Sequence, residues 1–316
     1  MPDTVQTDQS ARASEATDYR KYLDPRALAK IQALDLRARL IVEGFITGMH
    51  RSPYKGFSIE FAQHRPYVSG DDIKFIDWKV FGRTDRHYIK QYEEETNLQV
   101  MLVVDASESM SYAGSLNPNW RKFDHAVSIA ASLAYVALHQ QDSAGLAVFD
   151  QRIRRLIRPS NRPRQWRTII DELTATTRDV KTDTDRVLDA VAEELRHRSL
   201  IILISDLFDD ATGIIRGLRH LSYRRHDLIV LQVLDHDEIT FPFETTTMFR
   251  GMEVPADLVV EPQALRQAYL EEFTKHTAMI REACHKLRVD FVQVDTSVPL
   301  DVSLPGFLAT RAARIK

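Results

Sequence analysis

The sequence predicts an α/β fold, a doubly wound and mostly parallel sheet with a smaller β-rich extension on its N-terminal side. Three observations predict it. From Leu98 onward, five short runs are almost wholly apolar, as strands buried on both faces of a parallel sheet must be. Helical patterns stand between those runs, and strands alternating with helices fold as right-handed βαβ crossovers. Between about residues 51 and 97 the texture differs, with short β-branched or aromatic pieces broken by turn signals.

Composition narrows the function classes. The 316 residues are 44% hydrophobic and 28% charged, ordinary for a globular protein with a large core. A net charge of −3 argues against a protein built mainly to grip nucleic acid or an anionic membrane. One cysteine, Cys284, excludes an intrachain disulfide framework and any cysteine-rich zinc or iron–sulfur cage. The longest uncharged stretch, Ala126 to Gln141, is too short and too polar to span a bilayer. The first twenty residues lack a basic region followed by an apolar run, so no secretory signal is visible. The expectation is a cytoplasmic protein without a transmembrane segment.

Along the chain, residues 1–20 offer only Val5 as a branched aliphatic and read as a disordered tail. Residues 21–97 read as an N-terminal helix followed by the β-rich module. Asp24-Pro25 is a helix start, and Leu28, Ile31, Leu34, Ala38, Ile41 and Phe45 keep helical spacing. In the module, Ser58–Phe61, Arg65–Val68 and His87–Tyr92 read as strands, and Ser69-Gly70-Asp71-Asp72 as a turn. Residues 98–296 hold the large domain. Its apolar runs are 98–104, 144–149, 200–204, 228–234 and 289–294. Its helical patterns are 124–140, 163–173, 185–196 and 262–287. Residues 297–316 are the C-terminal tail.

Open parallel sheets place their sites at the carboxyl ends of strands. Asp105-Ala106-Ser107-Glu108-Ser109 follows the first apolar run, and Ser205-Asp206 follows the third. Thr182-Asp183-Thr184-Asp185 precedes a helix. These segments supply hydroxyls and carboxylates with no imidazole or thiolate. That donor set suits Mg²⁺, Mn²⁺ or Ca²⁺ and not zinc. In a turn leaving a strand, Asp105, Ser107 and Ser109 can converge on one point, and Asp206 on a neighbouring strand approaches it. Serines and aspartates after a strand are also common as turn formers and helix caps.

Asp105-x-Ser107-x-Ser109, a threonine before a helix and Asp206 together resemble the metal-ion-dependent adhesion site of von Willebrand factor A domains. Upstream, Tyr54-Lys55-Gly56-Phe57-Ser58-Ile59-Glu60-Phe61, Arg65-Pro66-Tyr67, Gly70-Asp71-Asp72, Ile76-Asp77-Trp78-Lys79 and Gly82-Arg83 resemble the bacterial domain of unknown function 58 family. The resemblance covers about residues 25–310. It implies a von Willebrand A-like fold with an N-terminal β-rich extension. It also implies a non-enzymatic adaptor that partners a MoxR-type AAA+ ATPase in chaperone-like or assembly work. By that resemblance Ser107, Ser109 and Thr184 hold a cation through hydroxyls, and Asp105 and Asp206 hold it directly or through water. The family threonine often follows glycines. Here the loop reads Lys181-Thr182-Asp183-Thr184-Asp185, so Thr184 fits best and Thr182 is the alternative.

A second function class is Mg²⁺-dependent phosphoryl transfer with Asp105 as nucleophile. That chemistry usually wants a second acid two positions on, where this chain has Ser107. A third is nucleic-acid binding through the arginines from Arg152 to Arg167. They alternate with Ile153 and Leu156-Ile157 as an exposed hairpin does, and read as a solvated edge. Trp78 reads as a buried anchor for the small module, Glu93-Glu94-Glu95 as a solvated run, and Cys284 as core.

Overall fold

A computed structural model describes residues 33–34, 36–39, 41–42, 64–68, 78–90, 98–176, 184–195, 197–250 and 257–300. The expected strand Ser58–Phe61, the turn at Gly70–Asp72, the run Glu93–Glu95, both tails through residues 20 and from 301, and Thr182 lie outside the described residues. The chain forms two compact units, residues 49–97 and the remainder.

In the small unit, β1 (His64–Pro66) pairs antiparallel with β2 (Tyr88–Lys90), and α1 (Trp78–Thr84) lies between them in sequence. The expected strand at Tyr88 is present, and the segment read as a β-rich module also carries the helix α1. Trp78 opens that helix and is 58% exposed, which corrects its reading as a buried anchor. Its ring meets Phe81 and His87 edge-on at 6.0 and 6.5 Å.

The large unit is a six-stranded sheet covered on both faces. Its elements, in order, are β3 (Gln99–Asp105), α2 (Lys122–His139), β4 (Ser143–Phe149) and β5 (Ile153–Ser160). Then come α3 (Gln165–Ala175), α4 (Thr184–Glu194), β6 (Leu200–Ser205), α5 (Ala211–Tyr223) and β7 (Asp227–Leu234). The chain continues through α6 (His236–Thr240), a hairpin of β8 (Thr247–Arg250) and β9 (Asp257–Val260), α7 (Pro262–Lys286) and β10 (Asp290–Asp295). Strand order is β10-β7-β6-β3-β4-β5. All neighbours are parallel except the β4–β5 edge pair. The arginine-rich segment therefore supplies an antiparallel sixth strand, joined to β4 by a tight reversal. This is a doubly wound, mostly parallel sheet.

Side chains along each central strand alternate between two cores, as the strand period of two requires. Val100, Leu102 and Val104 of β3 face α2 and α3, while Met101 and Val103 face α4, α5 and α7. Leu146 and Val148 of β4 go with the first set, Ala147 and Phe149 with the second. Helix α2 presses Ala126, Ala130, Ala131 and Ala134 on the sheet, so its backbone comes close. Its buried Ser128 and Ser132 hydroxyls are satisfied by donating to the carbonyls of Asp124 and Ser128, at 2.6 and 2.7 Å.

Two boundaries differ from the sequence reading. Leu34, Ala38 and Ile41, helical and grouped by the sequence with the small module, are buried in the first core of the large unit. Leu300, placed by the sequence in the C-terminal tail, is fully buried in the same core. Helix α5 and the β8–β9 hairpin were not anticipated. Cys284 is buried in the second core as expected, and burial pushes its thiol up to about 12.

Candidate metal centre

The central strands β3 and β6 run side by side, Val104 opposite Ile204, so both chains leave the sheet at the same edge. Asp105 is the last residue of β3 and Ser205 the last of β6. Ser205 Oγ donates to Asp105 Oδ2 at 2.6 Å and accepts the amide of Leu207 at 2.9 Å. The other Asp105 oxygen accepts the Ser107 amide at 2.8 Å. Ser107 and Ser109 share a hydrogen bond between their hydroxyls at 3.0 Å. Asp105, Ser107, Thr184 and Asp206 are all buried.

Asp206 follows β6, and Leu207 after it has φ of 60°, a left-handed conformation that costs a leucine backbone strain. Three contacts hold that kink. They are the Leu207 amide on Ser205, the Phe208 amide donating to Asp206 Oδ1 at 3.1 Å, and His276 Nε2 of α7 donating to the Leu207 carbonyl at 2.9 Å. Gln232 of β7 donates to the Asp206 carbonyl at 3.2 Å.

Thr184 begins α4, and its amide donates to Asp209 Oδ2 at 2.8 Å, tying this helix start to the Asp206 loop. Its hydroxyl oxygen is buried and has no hydrogen-bond partner among the described residues. A buried hydroxyl normally finds one. The structure thus draws Asp105, Ser107 and Ser109 into one turn beside Asp206, and binds Thr184 to the loop that carries Asp206. Thr182, the alternative, lies outside the described residues.

Electrostatics follow from this crowding. Burial, then the Asp206 charge, push the Asp105 carboxyl up to about 7, against the lowering effect of its Ser205 and Ser107 hydrogen bonds. Among the described residues no group of three or more acidic, histidine or cysteine side chains is arranged to hold a metal. Any cation here relies on hydroxyls together with two carboxylates.

Sequence reasoning missed the groups behind these ligands. Lys122, the first residue of α2, is fully buried, and its ammonium donates to Asp206 Oδ2 at 2.8 Å and Glu238 Oε1 at 2.6 Å. It also lies 4.7 Å from the centre of the Phe208 ring. Burial alone lowers a lysine pKa; here the two carboxylates reverse that and raise it. Glu238 caps α6 through the Asp235 amide at 2.8 Å, and burial raises its carboxyl. A lone lysine heading an Ala- and Ser-rich buried helix was the available signal.

Asp235 and Asp237, also unanticipated, fasten the loop after Ser109. Asp235 accepts the Gly114 amide and the Thr296 hydroxyl, each at 3.0 Å; Asp237 accepts the Ser115 amide at 2.7 Å and its hydroxyl at 3.0 Å. These carboxylates are spent on the loop. A side chain at Gly114 would collide with the Asp235 carboxylate, so glycine there permits the approach.

The family model described as "Protein of unknown function DUF58" matches residues 63–279. The chain belongs to this family. The chain is similar to uncharacterized protein Rv1480 of Mycobacterium tuberculosis H37Rv and uncharacterized protein Mb1516 of Mycobacterium bovis. Each is 24% identical over 294 residues, covering 91% of this chain and 90% of the relative. Among solved structures, BatB of Bacteroides thetaiotaomicron aligns with 14% identity and a TM-score of 0.44, over 68% of this chain and 99% of that one. The SpRpn10 VWA domain aligns with 10% identity and a TM-score of 0.38, over 66% and 94%. Among the described residues no helix of this DUF58 protein is long and apolar enough to cross a membrane.

Proposed function

We propose that this chain is a non-enzymatic, divalent-cation-dependent protein-binding adaptor whose site is Asp105, Ser107, Ser109, Thr184 and Asp206. The observation that carries this reading is the buried, partnerless hydroxyl of Thr184, tethered to the loop of Asp206, beside a set of otherwise oxygen-only donors. These residues fit a hard cation such as Mg²⁺, with Mn²⁺ and Ca²⁺ as the other candidates. When bound, the cation supplies an open coordination position for a carboxylate of the partner. Ser205 orients Asp105, and the Leu207 kink presents Asp206. The partner we favour is a MoxR-type AAA+ ATPase, which the resemblance of Asp105-x-Ser107-x-Ser109 and the upstream motifs implies. The proposed place of action is the cytoplasm.

Phosphoryl transfer gains no support from the geometry. The position two residues on from Asp105, where that chemistry wants a general acid, holds Ser107.

The test is capture of partners from native lysate by the immobilised full chain, with Mg²⁺ and with EDTA. Chelator should release a MoxR-type ATPase, and Asp105→Ala should fail to capture it while remaining folded. Capture that is indifferent to both EDTA and Asp105→Ala sinks the reading.

A further inference from the structure

Lys122 stands in an expensive place. Its charge is fully buried, which costs several kcal/mol unless paired. It is also the first residue of α2, where the helix dipole disfavours a cation. Both costs are offset by the same neighbours: Asp206 at 2.8 Å, Glu238 at 2.6 Å and the face of Phe208. Asp206 is one of the two carboxylates of the candidate metal centre, and here one of its oxygens is committed to the ammonium, the other to the Phe208 amide. Glu238 is different. It is not among the candidate ligands, and it is held in place by the Asp235 amide at 2.8 Å.

From this arrangement we propose that Lys122 is a built-in counter-cation that competes with a divalent ion for Asp206, with Glu238 as the seat that retains the ammonium when Asp206 is released. The inference rests on the metal reading above and adds to it a regulation of the same site. The ammonium is a tethered charge, present at high effective concentration whether or not metal is available. It keeps Asp206 neutralised in the metal-free protein, so the fold does not need metal to tolerate the buried carboxylate. It also sets a threshold, because a divalent ion gains Asp206 only by displacing an ion pair. The two residues then have opposite effects. Without Lys122, the carboxylates Asp206 and Glu238 lack their cation, and metal binding tightens. Without the Glu238 charge, Asp206 becomes the sole anionic partner of Lys122, and metal binding weakens. A lysine that only props up the loop gives weaker binding in both cases.

The experiment is calorimetric titration of MgCl₂ and of MnCl₂ into the full chain, its Lys122→Met variant and its Glu238→Gln variant, with thermal unfolding followed at each metal concentration. Methionine preserves most of the lysine volume. The expected result is binding on the order of tenfold tighter in Lys122→Met and several-fold weaker in Glu238→Gln. Lys122→Met should also unfold at lower temperature without metal and gain more from Mg²⁺ than the parent. Parent binding with Lys122→Met unchanged or weaker overturns the lysine inference and leaves the metal reading standing. Binding by Lys122→Met alone supports the inference and removes the metal reading for the natural chain. Binding by none of the three overturns both. If Lys122→Met does not fold, Lys122→Gln takes its place: tighter binding supports the inference, and unchanged or weaker binding overturns it.

Discussion

Two residues that bear no candidate ligand role set much of the local balance. Ser205 spends its single proton on Asp105 and accepts the Leu207 amide, so it joins the two strand ends and holds the kink. Ser205→Ala leaves a buried carboxylate oxygen and a buried amide short of a partner. It should cost about 1–3 kcal/mol, read from urea denaturation midpoints. A loss below a few tenths would mean the neighbours re-pair. His125 is buried in α2 with Nδ1 accepting from Trp120 Nε1 at 3.0 Å and Nε2 without a partner among the described residues. Burial depresses its pKa from 6.5 to about 4. The folded state therefore refuses a proton that the unfolded chain accepts. The stability this contributes is complete above the unfolded pKa and is lost as pH falls through the window from 6.5 to about 4. The loss is on the order of 3 kcal/mol at the acid end. Asp105 has the opposite sign across part of this range. With its folded pKa raised to about 7, its contribution is greatest at low pH and declines as pH rises through that value. Comparing the parent with His125→Gln isolates the histidine. The variant should lose less stability between pH 7 and 4.5, measured by chemical denaturation at each pH, and parallel curves would contradict the assignment.

Among elements, the contact of α4 with α5 makes a sharp case because two general rules disagree about it. Gly217 lies inside α5, where propensity alone favours alanine by about 1 kcal/mol. A Cβ at that position would sit 2.8 Å from both Cβ and Cδ1 of Leu188 in α4. Overpacking of that kind costs about 1–3 kcal/mol, so packing outweighs propensity. Gly217→Ala should lower the thermal midpoint, and adding Leu188→Ala should make the alanine at 217 less harmful than it is alone. An unchanged or raised midpoint in the single variant would show that the helices separate at little cost. The β5 edge follows a different logic. Its arginines are largely matched by local carboxylates, Arg155 with Glu172 at 3.5 Å, Arg158 with Glu194 at 3.2 Å, and Arg154 with Asp150. A charged edge strand resists pairing with another chain, and exposed pairs of this kind add little stability.

At the scale of the molecule, the large unit is not self-contained between the first and last strands of its sheet. Leu34, Ala38 and Ile41 enter its first core from upstream, and Arg37 lies 5.2 Å from the centre of the Trp120 ring. Burying a leucine or isoleucine side chain stabilises by about 1.5–3 kcal/mol. A chain begun at residue 98 should therefore be less stable than the full chain by several kcal/mol, seen as a lower urea midpoint and dye binding to exposed apolar surface. Equal midpoints would show that the upstream helix is an accessory. Reciprocity is the molecule-wide consequence of the proposed function. If a partner carboxylate completes the coordination of the cation, metal raises partner affinity by the factor by which partner raises metal affinity. Titrations run in both orders should return one coupling factor, and unequal factors would exclude a shared site.

What the sequence determined by itself was the part written in local pattern. Runs such as Leu200–Ile204 are apolar at every position because a central parallel strand is buried on both faces, and that requirement is visible without coordinates. Asp105, Ser107 and Ser109 were legible because a short turn must bring them together, and Asp206 because it directly follows the strand beside them. Helix α5 and the β8–β9 hairpin escaped, and so did the roles of Leu34 and Leu300, because whether an apolar side chain meets this core or another is decided by packing across the chain. Trp78 looked like an anchor by type and is exposed by position. Lys122 and Glu238 are the clearest case. They are 116 residues apart and polar, and each is ordinary in its own segment. Only the tertiary structure makes them partners, because a buried charge is stable only where an opposite charge reaches it, and no local pattern records that meeting.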